Sequence, residues 1–420
     1  MDWTVKHQPA IWGGKELSYP NVPKEHAKFS ESVTVGNLVM VSGCVGNDTK
    51  TGALTPESIG EQVTQALDNT RAALEAAGSS MENIVKTFSL IRDLGIYGEY
   101  RAAETSYYEQ HAPALIGKPP SATLMVYPGL ALPEFKLEYE VVAAIDRGAP
   151  DWGVTYYPEY WGGKELAYPH VPKEHAKFAR TQVVGELVLV SGCQALDHGT
   201  VKVETMDFAE QAVICLEKIR IGMEETGGSW DTVAKTNVFI KDPAMLEAYR
   251  QIERDYFNFH APARADQPPA STTFIVTELP RPEFLVEIEA FGVASDGESG
   301  WPVKFHEGAE DHRAASVQAG ELVYYSATHG KGSIEDQVTG AFDRLRAACE
   351  QAGTSLDKVI KTNMMLTDTS HYKTMRRLEV EYYEKHAPGL VTHPPACTFM
   401  QVEAIEDADI LFQVAAIGVL

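Results

Sequence analysis

The side chains able to do chemistry in this 420-residue sequence come in matched pairs 149 positions apart. His26 and His175 sit in identical KEHAKF segments, Cys44 and Cys193 follow identical Ser-Gly dipeptides, and Glu138 and Glu287 lie in runs that alternate apolar and charged residues. A histidine titrates near neutrality and can give or take a proton, a carboxylate can act as a base, and a cysteine can attack once ionised. Each type also has a plainer reading. A glutamate on an alternating strand can face water, as Glu140 and Glu289 are expected to do, and a cysteine with no histidine fixed beside it packs as a small hydrophobe. The KEHAKF identity can be the trace of a recent duplication. His111, His260 and His386 read as residues that cap helix carbonyls. No Walker loop, no GxGxxG after a strand and no HExxH occurs, so neither a nucleotide cofactor nor a metal is expected.

These pairs belong to a repeat. WGGKEL at Trp12 returns at Trp161, and Ser42-Gly43, Gly78, Lys86 and His111 return as Ser191-Gly192, Gly227, Lys235 and His260. A third, more worn copy matches Gly227, Lys235 and His260 with Gly353, Lys361 and His386, and carries a deletion between His329 and Gln337. Three units follow: 1–149, 150–295 and 301–420, with DGESG (296–300) as a linker. Within the first, 33–41 reads as strand-turn-strand, 61–77 as a helix stopped by Gly78, 83–91 as a strand, 97–110 as a second helix, and 121–126 and 135–145 as strands. The result is an α+β layer, one sheet with two helices on one face. Its other face needs a cover, and the other two copies supply one, which predicts a pseudo-trimer within a single chain. The WGGKEL arms read as straps between neighbouring sheets, or as caps on pockets between them.

Composition narrows the function. With 59 acidic and 36 basic residues the formal charge is −23, which repels phosphate backbones and anionic membrane surfaces. Nucleic acid and membrane are therefore not expected as partners. Five scattered cysteines without a CxxC pair suit a reducing compartment, and no apolar stretch reaches about 18 residues. A cytoplasmic monomer with internal pseudo-threefold symmetry is the expectation.

The run VGNLVMVSG, a helix ending EAAGSS, then IVKTFSLIRD, HAP and LEYEVVAAI resembles the Rid (YjgF-type) enamine/imine deaminase family, with its chorismate-mutase-like fold. The resemblance covers each repeat except the WGGKEL arms. It implies a ligand pocket at each interface between copies. There an arginine on a strand holds a substrate carboxylate, a glutamate on the last strand activates water, and an aromatic residue and a Ser-Gly turn complete the pocket. Carried over, the glutamate falls on Glu138 and Glu287, with Gln413 in the third copy. An amide cannot serve as a general base, so one pocket should be weak or dead. The turn falls on Ser42-Gly43 and Ser191-Gly192, against Ser326-Ala327. The aromatic falls on Phe29 and Phe178, against Arg313. The arginine position holds Ala122, Ser271 and Cys397.

Without that arginine the ligand should be neutral, cyclic or held by another cation. Lys28 and Lys177 are the candidates, and His26 and His175 are expected opposite Glu138 and Glu287 as general acid or base. The expected function is a cofactor-free hydrolase or deaminase acting on a C=N or C–N bond of a small molecule. A metabolite-binding or chaperone-like protein is the rival, and an isomerase or ring-opening hydrolase the third reading.

Overall fold

A computed structural model describes residues 2–54, 58–295, 300–308 and 313–420. Most of the DGESG linker, 296–299, lies outside the described residues. Each repeat forms the same α+β unit. In the first, Ser30–Val35 pairs antiparallel with Leu38–Val41, which pairs with Leu137–Ala144. Leu137–Ala144 runs antiparallel to Ile84–Ile91, and that strand runs parallel to Ser121–Val126. The expected elements are all present, with ends shifted by up to three residues: the first strand starts at Ser30 where 33 was expected. Ile59–Ala76 starts at Ser58, whose hydroxyl accepts the Glu61 N–H, and stops before Gly78, whose φ of 83° suits a residue without Cβ.

The arms hold strands that the sequence reading left out. Val5–Pro9 and Val154–Pro158 each extend a sheet by pairing with Ser30–Val35 and Ala179–Val184, and Val303–Glu307 does the same in the third unit, which has no WGGKEL arm. The WGGKEL segments are small hairpins, Trp12 facing Lys15 and Trp161 facing Lys164. Gly13 and Gly14 turn the first at φ 55° and 74°, values costly for other residues.

Alternation along the last strand decides what faces where. Leu137, Tyr139, Val141 and Ala143 pack under the helices with Val63, Leu67, Tyr100 and Tyr108. The opposite face carries Glu138, which is buried, and Glu140, which is mostly so. Two further clusters draw buried residues from all three units: Leu38, Leu187 and Leu322 with Trp152 and Trp301 in one, Phe88, Phe239 and Met365 in the other. Trp3, Trp152 and Trp301 meet with ring centroids 4.7–5.2 Å apart. Glu140 and Glu289 are thus not the outward, solvated residues expected. Glu289 is 2% exposed and pairs with Lys86 at 2.6 Å, and Glu140 pairs with Lys361 at 2.9 Å.

Three junctions join the units, and one serine staples each. The Ser191 hydroxyl accepts the Ala122 N–H at 2.8 Å and donates to the Ala179 carbonyl at 2.6 Å. Ser42 does the same with Cys397 N–H and Ser30 O, and Ser326 with Ser271 N–H and Ala314 O. Short backbone pairings flank each staple: Ala179 with Ser121, Ala396 with Ser30, and Ala314 N–H with Pro268 O. The hydroxyl donor and one acceptor site of Ser42 and of Ser191 are therefore taken by the fold. Ser191→Ala leaves a buried Ala122 N–H unsatisfied, so it should cost about 1–3 kcal/mol in urea unfolding.

Candidate functional site

At each of two junctions a carboxylate is sealed against a glycine. Glu138 is 4% exposed and Glu287 1%. A Cβ built on Gly43 would lie 1.7 Å from Glu138 Oε1, and one on Gly192 would lie 1.8 Å from Glu287 Oε1. Only glycine admits these side chains. Neither Glu287 oxygen completes a hydrogen bond among the described residues, although Gln194 stands near enough to favour the charged form. Burial pushes both carboxyls up from 4.5 to about 8, against the pull of Lys361 on Glu138 and of Lys86 and Arg101 on Glu287. At neutral pH both are therefore largely protonated, able to donate a proton before they accept one.

The third copy changes glycine and carboxylate together. Ala327 replaces the glycine, and Gln413 turns its amide towards Thr273 O and Met365 Sδ, each at 3.4 Å. Ser326 remains because the staple needs it.

The cations expected beside the carboxylates are engaged elsewhere. Lys28 Nζ donates to the carbonyls of Pro23, Lys24 and His26 at 2.6, 3.0 and 2.8 Å, which uses all three of its N–H groups. Lys177 donates to Lys173 O and His175 O at 2.7 and 2.6 Å. Both hold the arm loop, and burial lowers both amines to about 8. His26 and His175 are exposed, and no hydrogen bond links either to Glu138 or Glu287. An imidazole in solvent and a carboxyl sealed under a glycine form no acid–base pair, so the KEHAKF segment is a strap. It reaches the next unit through Lys24–Glu384 at 2.5 Å and through Lys173–Glu109. The second arm also caps: Trp161 meets Phe178 edge-on at 5.7 Å, and Leu166 and Phe178 pack on Ala122. Phe29 packs against the core of the third unit.

Beside the strand-arginine position of the third unit lies an arginine from a helix. Arg376, in Tyr372–His386, lies 2% exposed with its Nη atoms 3.6 and 3.7 Å from Cys397 Sγ, beside the arginine position itself. It pairs with Glu379 at 3.0 Å and leaves Nε without a partner. Arg101, in Tyr97–His111, repeats this at the junction of the first two units. It pairs with Glu104 at 2.8 Å, and its Nε is likewise unpartnered. Tyr100 and Tyr139 also donate to Glu104, so the carboxylate is fully held while the guanidinium keeps donors to spare. Each arginine lies close enough to favour the ionised form of the glutamate across its junction, Arg376 for Glu138 and Arg101 for Glu287.

The second unit adds a cavity of about 300 Å³ lined by Trp161, Phe178, Gly192, Gln194, His198 and Lys218. His198 Nδ1 lies 3.1 Å from Glu159, which Arg180 also approaches at 3.4 Å. Gly192 and Gln194, which line this cavity, both adjoin Glu287. Cys44 and Cys193 are buried, their thiols pushed up to about 12 by burial, which suits packing and not attack. Among the described residues no cluster of three His, Cys, Asp or Glu could hold a metal.

The profile of the Endoribonuclease L-PSP family matches residues 20–145, 169–294 and 309–420. The chain belongs to this family, the Rid (YjgF-type) one. The 2-iminobutanoate/2-iminopropanoate deaminase of Rattus norvegicus is 33% identical over 100 residues, 24% of this chain and 73% of the relative. Its namesake in Escherichia coli (strain K12) is 31% identical over 97 residues, 23% and 75% of the two chains. The crystal structure of the YjgF gene product from E. coli is 28% identical, covers 30% of this chain and 96% of its own, and has a TM-score of 0.26.

Against that Rid pattern the third junction has departed furthest. Arg313, in the aromatic position, pairs with Glu406, and Arg250, the counterpart of Arg101 and Arg376, pairs with the same carboxylate at 2.9 Å. Burial would raise Glu406, yet His329, Arg313 and Arg250 together hold it far below its ordinary value. Ser271, at the arginine position, lies beside Thr236, 3.1 Å away. The recurrence of Arg101 with Glu104, Arg250 with Glu253 and Arg376 with Glu379 at the repeat offsets was a sequence signal for the helix arginine.

A carboxyl raised from 4.5 to about 8 binds a proton in the folded chain that the unfolded chain has released. Stability must therefore fall as pH rises through that window and level off above it, by about 1.4 kcal/mol per pH unit for each group. A Glu138→Gln/Glu287→Gln chain, carrying the amide that Gln413 already places in the same fold, should lose that decline. Urea unfolding at pH 5 and pH 8 checks it, and an unchanged slope would refute the raised values.

Proposed function

We propose that the chain is an enzyme that hydrolyses the C=N bond of a small imine, or of an enamine after protonation, at two of its three junctions. Glu287 works with Arg101 and Glu138 with Arg376, while the junction holding Gln413 does no chemistry. The observation that carries this reading is the pair of buried, mostly protonated carboxyls pressed against Gly43 and Gly192, each with a donor-rich guanidinium across the junction. The names of the relatives agree with it.

The chemistry follows from the protonation state. The carboxylic acid gives its proton to the imine nitrogen, or to the carbon of an enamine, and the C=N carbon becomes electrophilic. Water adds to that carbon, its proton passes to the carboxylate just formed, and the carbinolamine collapses to a carbonyl compound and ammonia. Atoms balance as one imine plus one water giving one ketone or aldehyde plus one ammonia, with no redox change and no organic cofactor. Arg101 and Arg376 are already half-neutralised by Glu104 and Glu379. They suit a substrate that offers one hydrogen-bond acceptor, carboxylate or carbonyl, to the free Nε edge.

The chain itself would work as a monomer, a fused form of three associated subunits. RNA is a poor substrate despite the family's description, because the charge of −23 opposes it.

The test is ammonia release from 2-iminopropanoate and from a neutral imine, each generated in situ. The wild-type chain should accelerate at least one, with a rate that falls as pH rises past about 8. Glu138→Gln/Glu287→Gln should lose about 10²- to 10⁴-fold. Arg101→Gln should raise KM more than it lowers kcat at the Glu287 site, measured in a Glu138→Gln background. Full activity in the double glutamine chain would end this reading, and tight imine binding without turnover would favour the metabolite-binding alternative.

A further inference from the structure

Where the three sheets meet, a chamber of about 60 Å³ is lined by Lys86, Lys235 and Lys361, by Glu140 and Glu289, and by Ala415. These residues occupy corresponding places in the repeat. Each lysine bonds a threonine on the neighbouring strand of its own unit: Lys86 with Thr123, Lys235 with Thr272 and Lys361 with Thr398, at 2.7–2.8 Å. Each should then meet a glutamate from the next unit. Lys86 meets Glu289 and Lys361 meets Glu140. By the repeat, the place opposite Lys235 falls to Ala415, and both line the chamber.

Lys235 has no carboxylate partner among the described residues. Its Nζ leans instead on the Tyr325 carbonyl at 2.7 Å, where Lys86 keeps 3.3 Å from the matching Val190 carbonyl. The carboxylates within reach are claimed by others. Glu289 takes Lys86, Thr123 and Asn237, and Glu140 takes Lys361, Thr398 and Asn363. Three lysine amines face two carboxylates, so charging the third would leave one unpaired positive charge inside the protein. An isolated buried ammonium is costly, and burial accordingly lowers the Lys235 amine well below its ordinary value.

We propose that this chamber binds one small monovalent carboxylate-type anion, of the size of formate, acetate or bicarbonate, beside Lys235 in the space that a glutamate at 415 would fill. The truncation from glutamate to alanine removes a CH₂–CO₂⁻ fragment and leaves an apolar Cβ, so the ligand best matched in shape and charge is that fragment as a free molecule. Asn363, on the strand paired with Ala415, stands at the same wall. The bound anion would keep Lys235 charged and complete the third ion pair that the other two units make covalently. The inference is independent of the chemistry proposed at the junctions.

The test uses the full chain at constant pH and ionic strength, with sodium gluconate, too large for the chamber, replaced stepwise by formate, acetate or bicarbonate. The wild-type Tm should rise by a few degrees along a saturating curve, and the arms separate which of the three ions fits. Ala415→Glu supplies the missing carboxylate, so it should melt higher than wild type in gluconate and show no response to formate. Lys235→Met should be unresponsive as well. Equilibrium dialysis with labelled formate should find one ion per wild-type chain and none on Ala415→Glu. The same Tm response in all three chains, or no formate retained by the wild type, overturns the proposal.

Discussion

Each sheet in this chain has two faces, and its own helices cover only one. Hiding the second face against the other two sheets is the constraint from which most of the structure follows. It turns alternation on the last strand from an inside-outside pattern into a core-interior pattern, so glutamates that would be solvated on an isolated sheet become buried. Buried charge demands a partner. Lys86 and Lys361 reach across unit boundaries to provide it, while Glu138 and Glu287, whose lysine neighbours are already engaged, respond by holding a proton. The same burial that makes assembly possible thus sets the protonation state on which water addition to an imine would depend.

Close contact also couples residues that lie far apart in sequence. A carboxyl beneath Gly43 or Gly192 leaves no room for a Cβ, and an alanine at that turn accompanies the swing of Gln413 to other partners. At that third junction the helix arginine is drawn to Glu406 together with Arg313. One observation therefore explains several departures at once: when the carboxyl is lost, the glycine beside it, the aromatic position and the free guanidinium lose their reason to remain. The serine staple survives because it bonds backbone groups and is indifferent to what the pocket does.

Much of the fold was legible because repeat spacing, strand alternation and helix stops are local signals. Ile84–Ile91 and Tyr97–His111 were found within a residue of their ends. The candidate site was legible in part. Glu138, Glu287 and the two glycines were named, and the structure joins them. Lys28 and Lys177 misled because a duplicated lysine beside an aromatic residue looks like a ligand group, whereas its ammonium closes a loop on backbone carbonyls, which sequence does not display. Arg101 and Arg376 were passed over because the family position was sought on a strand, and only packing shows that a helix side chain reaches the same place. Glu140 and Glu289 were misjudged because the pattern of a strand tells which residues share a face, not what lies against that face.

The differences among the copies carry a further consequence of fusion. In an assembly of identical chains, replacing the glutamate at the place of Ala415 would strip all three buried lysines of their partners together, and the interior would hold three uncompensated charges. In a fused chain one site can change while the other two keep Lys86–Glu289 and Lys361–Glu140. The loss is then limited to a single unit of charge, small enough to be met by proton release or by one small anion. Phe88 in the first unit, against Asn237 and Asn363 at the same repeat position of the other two, shows the same freedom. Asymmetry of this kind is closed to an assembly of identical chains, and here it lets two junctions keep a buried carboxyl under a glycine while the third has become a structural joint.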